Sequence, residues 1–267
     1  MRIWSVQSRG EAFAHDESGA AGDLRANASP LHAAIALSQN FAAYTPQQAV
    51  EEQRRLAERV VLRPLPGPPS TVGGLDVGIK NNIVQAAVVV LSFPGLKVVA
   101  HSVAQMPVAF PYIPGLLAYR EIPVALEALR RLDAMPDVLI CDGQGIAHPR
   151  RMGIASHLGV LLDHPTVGCA KSRLWGIYNP VPDERGAWEP MMDRGETIGA
   201  ALRTRKGVKP VFVSPGHKTD LSTALELTLA CVTRYRLPEP TRLAHTLAAV
   251  GDTEFRALVK RKRWIRE

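Results

Sequence analysis

The stretch "PDVLICDGQGIAHPRRMGIASHLGVLLDHPTVGCAK", residues 136–171, contains a strand, a turn, a helix and a second strand in succession. Residues 138–141 are continuously apolar, which is typical of a strand covered on both faces of its sheet. Residues 153–163 predict a helix, and residues 165–170 predict a second buried strand. A strand, a crossover helix and a strand indicate an α/β fold with helices packed on the sheet.

The flanking sequence extends this sheet. We predict strands at 71–80, 85–93, 97–106 and 209–216, and helices at 46–62, 116–134 and 220–235, the last with Asp220 as its N-cap. Short turns join the first three strands, which indicates an antiparallel meander. The predicted fold is therefore a mixed α/β sheet, three antiparallel strands followed by parallel strands, flanked by helices.

Composition limits the class of protein. The chain has 267 residues, 46% hydrophobic and 21% charged, which is ordinary for a globular protein, and its net charge of +7 is compatible with a polyanionic partner. Its three cysteines have no zinc-site spacing, so we expect buried free thiols and a cytoplasmic protein. No apolar run approaches the roughly 20 residues that span a membrane, and we expect no membrane partner.

The N-terminal part differs from the rest of the chain. Residues 1–40 are rich in Ala, Ser, Gly and Asp without sustained periodicity, so we expect a weakly ordered extension or a short appended helix. Residues 41–267 are expected to form one domain. We find no internal repeat.

Three acidic residues fall in or near predicted apolar elements. Asp76 lies inside the first strand, Asp142 ends the strand 138–141, and Glu121 lies on a predicted helix. A buried carboxylate without a partner costs several kcal/mol, and converging carboxylates are most simply neutralised by a divalent ion such as magnesium or manganese. The alternatives are a turn or capping role for Asp142 and an ion pair with Lys80 for Asp76.

Glycine and basic residues follow Asp142 directly. Gly143 and Gly145 permit close approach of backbone to a ligand, although an isolated G-x-G is a weak signal and no nucleotide-binding glycine motif is present. The run "HPRR" places His148, Arg150 and Arg151 beyond the acid, where they could bind phosphate or form a basic surface turn.

The loop "PYIPG", residues 111–115, is unusually stiff and apolar. Pro111 and Pro114 restrain it, and Tyr112 and Ile113 lie between them. Rigid apolar side chains on such a loop can enter a base stack and hold strands apart. The alternative is a loop that covers the core.

Two further residues could take part in phosphate chemistry. Lys171 follows the buried strand 165–170, from which its ammonium could reach a phosphate, although many strands simply end in a lysine. His217 precedes a predicted helix, where it could transfer a proton or position a water, or serve only near the helix cap.

The order of these motifs resembles one protein family. "GLDVGIK", "PYIPGLLAYRE", the stretch 136–171, "VSPGHKTDLSTALEL" and "YRLPEPTRLAH" together resemble the endonuclease V family from about residue 45 to 250. The resemblance implies a ribonuclease-H-like fold. It also implies a metal-dependent endonuclease that recognises hypoxanthine in deoxyinosine and hydrolyses the second phosphodiester bond 3′ of the lesion.

The resemblance also implies roles for individual residues. These are magnesium ligands that also accept manganese (Asp76, Glu121, Asp142), an active-site histidine (His217), a phosphate-binding lysine (Lys171), a strand-separating wedge (Pro111, Tyr112, Ile113, Pro114), and a pocket for the flipped base (Gly115, Gly143, Gly145, His148, Leu174). The chain departs from the family at Gln144, where "DGHG" or "DGNG" is usual.

The expected partner is DNA that contains deoxyinosine, bound by a monomer. The alternative activity is an inosine-specific endoribonuclease, which would depend on contacts to the 2′-hydroxyl. A binding module without catalysis would have lost one of the acids, and none is lost. A junction resolvase of similar fold would share scattered acids but has no need of "PYIPG" and "HPRR".

Overall fold

The computed structural model describes residues 29–261, which form an eight-stranded mixed sheet between two layers of helices. The strands are β1 (Thr71–Lys80), β2 (Ile83–Ser92), β3 (Val98–Pro107), β4 (Val138–Cys141), β5 (Thr166–Ala170), β6 (Trp188–Asp193), β7 (Glu196–Leu202) and β8 (Val211–His217). The α-helices are α1 (Pro30–Ser38), α2 (Pro46–Ala57), α3 (Ala118–Arg130), α4 (Ile154–Leu162), α5 (Leu221–Ala230), α6 (Glu239–Val250) and α7 (Asp252–Arg261).

The strand order is β3-β2-β1-β4-β5-β8-β7-β6. The first three strands form the predicted antiparallel meander, and β4 and β5 run parallel to β1, so the predicted mixed sheet is confirmed. β8 was predicted, but it pairs antiparallel with β5. The hairpin β6–β7 was not predicted, because its outer strand is mostly half-buried without a regular alternation and has a proline, Pro190, in its middle.

Two apolar layers sandwich the sheet. One lies between β1–β3 and the helices α1, α3 and α4, and the other lies between the sheet and α5, α6 and the buried Phe255 of α7. All four residues of β4 are buried, as the continuous apolar run predicts. The three cysteines, Cys141, Cys169 and Cys231, are buried and free.

The four predicted helices differ from the structure mainly at their C-terminal ends, and α6 and α7 were not predicted. α2 ends at Ala57 and α5 at Ala230, before the predicted residues 62 and 235. Asp220 caps α5 as predicted, since its carboxylate accepts the Thr223 N–H at 2.8 Å. None of the helices between residues 29 and 261 has the length and apolar character needed to cross a bilayer.

Residues 1–40, predicted to be a weakly ordered extension or a short appended helix, are described only from residue 29 onward. Residues 1–28 lie outside the described part of the chain. Residues 30–38 form α1, which begins at a Ser29 cap and buries Ala34 in the core shared with α3 and α4. Tertiary burial stabilises this short helix, and the weak local periodicity gives no sign of it.

The start of α6 lies directly on β1. A Cβ added to Gly74 would stand 2.0 Å from the carbonyl carbon of Pro240, so only glycine permits this contact. The contact fixes where α6 crosses the sheet, and α6 carries His245 toward the end of β1.

We expect Gly74→Ala to destabilise the protein, because the added methyl group must displace the backbone at Pro240. The loss in free energy of unfolding should be about 1–3 kcal/mol, measured by urea denaturation. Gly78→Ala on the same strand is the control, since a Cβ there meets no atom within 4 Å. Equal stability of the two variants would contradict the close contact.

Candidate functional site

Asp76 and Asp142 lie side by side at one edge of the sheet. β1 and β4 are parallel with Leu75 opposite Cys141, so the next residue of each chain segment is an aspartate at the same level. The Asp142 N–H donates to the Leu75 carbonyl at 2.8 Å, which continues the pairing to the acid itself. Both carboxylates are largely buried.

Lys171 compensates part of this negative charge. It follows β5, the parallel neighbour of β4, so the ends of β4 and β5 and the middle of β1 form the cluster. The Lys171 ammonium contacts the Asp142 carboxylate directly and lies 3.8 Å from the Asp76 carboxylate. One positive charge against two negative charges leaves the cluster with a net negative charge.

The shifts in pKa report this crowding of acids. Burial raises the pKa of Asp142 to about 6; Asp76 raises it further, and Lys171 opposes the increase. Glu121, at the start of α3, has its pKa raised to about 7, first by burial and then by the charges of Asp142 and Asp76. The structure therefore brings the third predicted acid into the electrostatic field of the other two.

The histidine of this site is His245, which the sequence analysis did not single out. Its Nδ1 lies 3.1 Å from an Asp76 carboxylate oxygen, and its side chain is 60% exposed. The residue ends the quoted motif "YRLPEPTRLAH", so the signal was present in the sequence. No local sequence pattern shows that α6 crosses β1 at Gly74. Only this crossing brings the imidazole of His245 to the acids.

The structure does not place His217 at the acids, where the sequence analysis expected it. His217 pairs with Thr166, and Thr166 is level with Leu139, three residues and about 10 Å before Asp142 along the strand direction. Its Nδ1 accepts the Val61 N–H at 3.3 Å. Its position before a helix suggested an active-site role, but an antiparallel β8 carries it to the opposite end of β5.

The 111–115 loop is anchored at Gly115. The Gly115 carbonyl accepts hydrogen bonds from Gln53 Nε2 at 3.1 Å, His148 Nε2 at 3.0 Å and Arg150 Nη2 at 2.7 Å. Gly115 has φ +80°, a conformation that favours glycine. Tyr112 remains 67% exposed while Ile113 packs partly against the core, so the loop presents a fixed aromatic tip.

The two arginines of "HPRR" contact other parts of the protein, and their role as direct substrate contacts stays a prediction. Arg150 donates to Gly115 and, at 2.5 Å, to the Gln53 side chain. Arg151 pairs with Asp193 at 2.8 Å and Glu196 at 2.9 Å. Each guanidinium therefore fixes a loop beside the site, because nearby carbonyl and carboxylate groups satisfy its donors.

His148 is a buried neutral imidazole. Burial, followed by the charge of Arg150, lowers its pKa to about 4. Its Nδ1 accepts the Arg150 backbone N–H at 3.2 Å while Nε2 donates to Gly115. His148 thus links the "HPRR" turn to the exposed 111–115 loop.

The glycine turn after Asp142 is less open to a ligand than predicted. Gly143 donates its N–H to Cys141 at 2.9 Å, and Gly145 donates to the Ser214 hydroxyl at 2.8 Å. A Cβ on Gly145 would lie 2.0 Å from the Pro215 carbonyl oxygen, so this glycine serves the packing of the turn on β8. These two N–H groups are consequently occupied within the protein.

Gln144 joins the glycine turn to the loop that carries Lys171 and Leu174. Its Nε2 donates to the Ser172 carbonyl at 3.0 Å, and its buried Oε1 has no hydrogen-bond partner. Leu174 is half exposed on that loop. Of the predicted pocket residues, His148 and Gly115 are thus joined directly, while Gln144 links Leu174 to the turn of Gly143 and Gly145.

The fit of the site to a metal ion rests on its donor chemistry. Between residues 29 and 261, no three His, Cys, Asp or Glu side chains are arranged to hold an ion as they stand. The cluster nevertheless combines two buried carboxylates, a third carboxyl with a raised pKa and only one ammonium. Oxygen donors with excess negative charge suit a hard divalent cation.

Comparison with known proteins identifies relatives over most of the described chain. A family model described as Endonuclease V matches residues 54–246. An endonuclease V from Roseiflexus sp. (strain RS-1) is 55% identical over 199 residues, which are 74% of this chain and 90% of that protein.

Solved structures give the same relationship. Endonuclease V from Streptomyces avermitilis has a TM-score of 0.74 and 45% identity, covering 81% of this chain and 94% of that chain. Ciona intestinalis endonuclease V, solved in complex with a 24mer DNA containing an inosine followed by a ribo-adenosine, has a TM-score of 0.65 and 28% identity, covering 78% of this chain and 96% of that chain.

We expect the stability of the metal-free protein to fall as pH rises from about 5 to 8. The pKa of Glu121 is about 7 in the folded protein against an ordinary 4.5, so the folded state keeps a proton that the unfolded state has lost. This proton stabilises the fold below the unfolded pKa, and the stabilisation is lost above the folded pKa. The free energy of unfolding, measured by urea denaturation in chelator, should decrease by about 1–3 kcal/mol.

Glu121→Gln is the matched control, because it keeps the shape of the side chain and cannot ionise. It should flatten the pH dependence, leaving the smaller slope from Asp142, whose pKa is also raised. An unchanged slope in this variant would show that Glu121 is not the group that titrates.

Proposed function

This chain belongs to the endonuclease V family, and we propose that it is a metal-dependent endonuclease acting on DNA that contains deoxyinosine. We further propose that it hydrolyses the second phosphodiester bond 3′ of the lesion. The observation that carries the proposal is the cluster of Asp76, Asp142, Lys171 and His245 at one sheet edge, inside the residues that match the family. The Ciona relative's complex with inosine-containing DNA supports the substrate class.

Asp76, Asp142 and Glu121 are the residues that would hold Mg²⁺, with Mn²⁺ as a substitute. Their carboxylate oxygens suit either ion. The raised pKa values of Glu121 and Asp142 show that negative charge is unfavourable at this position, and a cation would offset that charge. When bound, the ion would supply Lewis acidity and stabilise charge that develops on the phosphoryl group.

Lys171 and His245 complete the proposed catalytic group. The Lys171 ammonium is exposed enough to meet a phosphate while its other contacts are with the acids, so it can offset charge on a phosphoryl oxygen. His245 stands against Asp76 with an exposed ring, where it can orient that carboxylate and exchange a proton with solvent. No equivalent role is available to His217, because it lies at the far end of β5.

The proposed recognition of hypoxanthine uses the elements around the glycine turn. Hypoxanthine carries an oxygen at the 6-position where adenine carries an amino group. A hydrogen-bond donor in the pocket would therefore pair with the oxygen of hypoxanthine and would face a second donor in adenine. Extrusion of the base costs a few kcal/mol, and less for a mispaired base. His148 and Arg150 would keep the wedge loop in place through Gly115 while the base is outside the stack.

A second candidate activity is cleavage of RNA at inosine. The DNA in the Ciona complex has a ribo-adenosine after the inosine, so a ribose is compatible with the substrate of that relative. Discrimination would depend on contacts to the 2′-hydroxyl. A cleavage assay that tests the function must therefore include an RNA substrate.

The test is a cleavage assay with matched labelled oligonucleotides carrying one deoxyinosine in DNA, one inosine in RNA, or neither. We expect magnesium-dependent cutting of the DNA at the second phosphodiester bond 3′ of deoxyinosine, and no cutting by Asp142→Asn. Cutting confined to RNA would establish the second activity instead. Cutting of unmodified strands at the same rate, or of none of the three, would contradict the proposal.

His245→Ala should lower the rate of cleavage by about 10²-fold or more, the usual scale for a group acting on proton transfer. The control is His217→Asn, whose amide oxygen can replace Nδ1 as the acceptor for Val61 and should leave the rate within a few fold. Single-turnover rates measure both variants. The reverse order of effects would return the catalytic role to His217.

Tyr112→Ala should weaken cleavage of duplex DNA and affect single strands little, because only a duplex requires strand separation. The side chain is exposed, so the fold should be unaffected. The ratio of duplex to single-strand rates measures the effect. An equal loss on both substrates would show that Tyr112 has another role.

A further inference from the structure

The loop after Lys171 exposes four apolar side chains in five residues. We name Leu174, Trp175, Ile177 and Tyr178 the apolar platform. Ile177 is 72% exposed, more than any other large apolar side chain between residues 29 and 261. A contiguous exposed apolar patch marks a site of interaction more often than a single exposed residue does.

The platform is held rigid from behind. Ile177 exchanges two backbone hydrogen bonds with Met192, at 2.9 and 2.7 Å. The Tyr178 ring packs edge-on against Phe212 with centroids 5.5 Å apart. In a flexible loop these apolar side chains would turn inward, and the contacts keep them exposed at the surface. A ligand that binds here therefore meets a preorganised surface.

Trp175 lies beside Asp193. The pKa of the Asp193 carboxyl is lowered, mainly by a hydrogen bond from Arg151 and next by one from the Trp175 indole. Arg151 belongs to the turn that follows Asp142, and its guanidinium lies 2.8 Å from Asp193. The indole is thus connected through one carboxylate to the same turn that borders the acid cluster.

The platform lies close to the proposed scissile bond and is bordered by positive charge. Trp175 follows Lys171 by four residues, a reach of at most about 14 Å, or about four stacked nucleotides. Arg173 lies within the same loop, and Arg194 adjoins Asp193 at the β6–β7 turn. Aromatic side chains interleaved with cations are the surface that binds unpaired bases on a charged backbone.

We propose that the apolar platform stacks an unpaired base of the substrate strand next to the lesion, with Trp175 as the main stacking surface. The inference rests on the proposed function, because it assumes that the strand is bound at the acid cluster. It assigns Trp175 to a flanking nucleotide and leaves Leu174 in its predicted place beside the flipped base. The bordering arginines favour nucleic acid over an apolar protein partner as the occupant.

The experiment measures binding of single-stranded oligonucleotides with one deoxyinosine by fluorescence anisotropy, in calcium and with absence of cutting verified. Three oligonucleotides are compared. One is complete, one lacks the base directly 5′ of the lesion, and one lacks the base directly 3′. Removing a base while keeping the phosphate isolates stacking from charge.

We expect Trp175→Ala to weaken binding of the complete strand about tenfold, and Trp175→Phe to weaken it less. Removing the stacked base should weaken binding by the wild type by a similar factor. It should weaken binding by Trp175→Ala little further, because the side chain that stacks on the base is already absent. Trp188→Ala is the matched control, because Trp188 is similarly exposed but begins β6, at the end distant from Asp193.

Trp175→Ala and base removal each weaken binding by some factor. If the two factors multiply for the 5′ base and also for the 3′ base, the two changes act independently and the stacking proposal is overturned. So would a dimer of the wild type that Trp175→Ala dissociates, since a second copy would then cover the platform. A different result would overturn the proposed function itself, namely a wild type that binds and cuts deoxyinosine strands no better than unmodified ones. A wild type that prefers deoxyinosine while showing no coupling at Trp175 overturns the platform alone.

Discussion

The parallel pairing of β1 with β4 forces two carboxylates, Asp76 and Asp142, against each other in a largely buried position, and the neighbouring elements are arranged around that repulsion. Lys171 arrives from the next parallel strand and neutralises part of the charge. His245, on α6, contacts the carboxylate oxygen of Asp76 that is not the one nearest Lys171. The remaining negative charge is an energetic cost to the protein alone, and the proposed divalent cation would offset it.

Around this cluster, basic residues serve the architecture more than the sequence suggests. Arg150 and His148 donate to one carbonyl, that of Gly115, and so hold the exposed 111–115 loop from behind. Arg151 joins the β6–β7 hairpin to the turn after Asp142 through Asp193. These contacts make the surfaces on both sides of the acids rigid, which reduces the entropy lost when a strand of nucleic acid is bound.

The difference between expectation and structure is clearest at the two histidines. His217 stands in a conspicuous motif before a helix, yet an antiparallel β8 takes it away from the acids. His245 stands in the middle of a helix, and the motif that it ends does not by itself show that the imidazole reaches the acids. What decides between them is the crossing of α6 over β1 at Gly74, a contact between residues 166 positions apart in sequence. No local pattern encodes such a contact.

The sequence alone determined the mixed sheet, the strands that end in Asp142 and Lys171, and the acids themselves, because apolar periodicity and strand ends are local properties of the chain. It also indicated the family, through motifs that are contiguous. Only the tertiary structure decided which histidine joins the acids, that Arg150 and Arg151 hold loops, and that Gly145 packs against β8. Those outcomes depend on distances between separate elements, and these distances are defined only when the sheet and its two helical layers pack together.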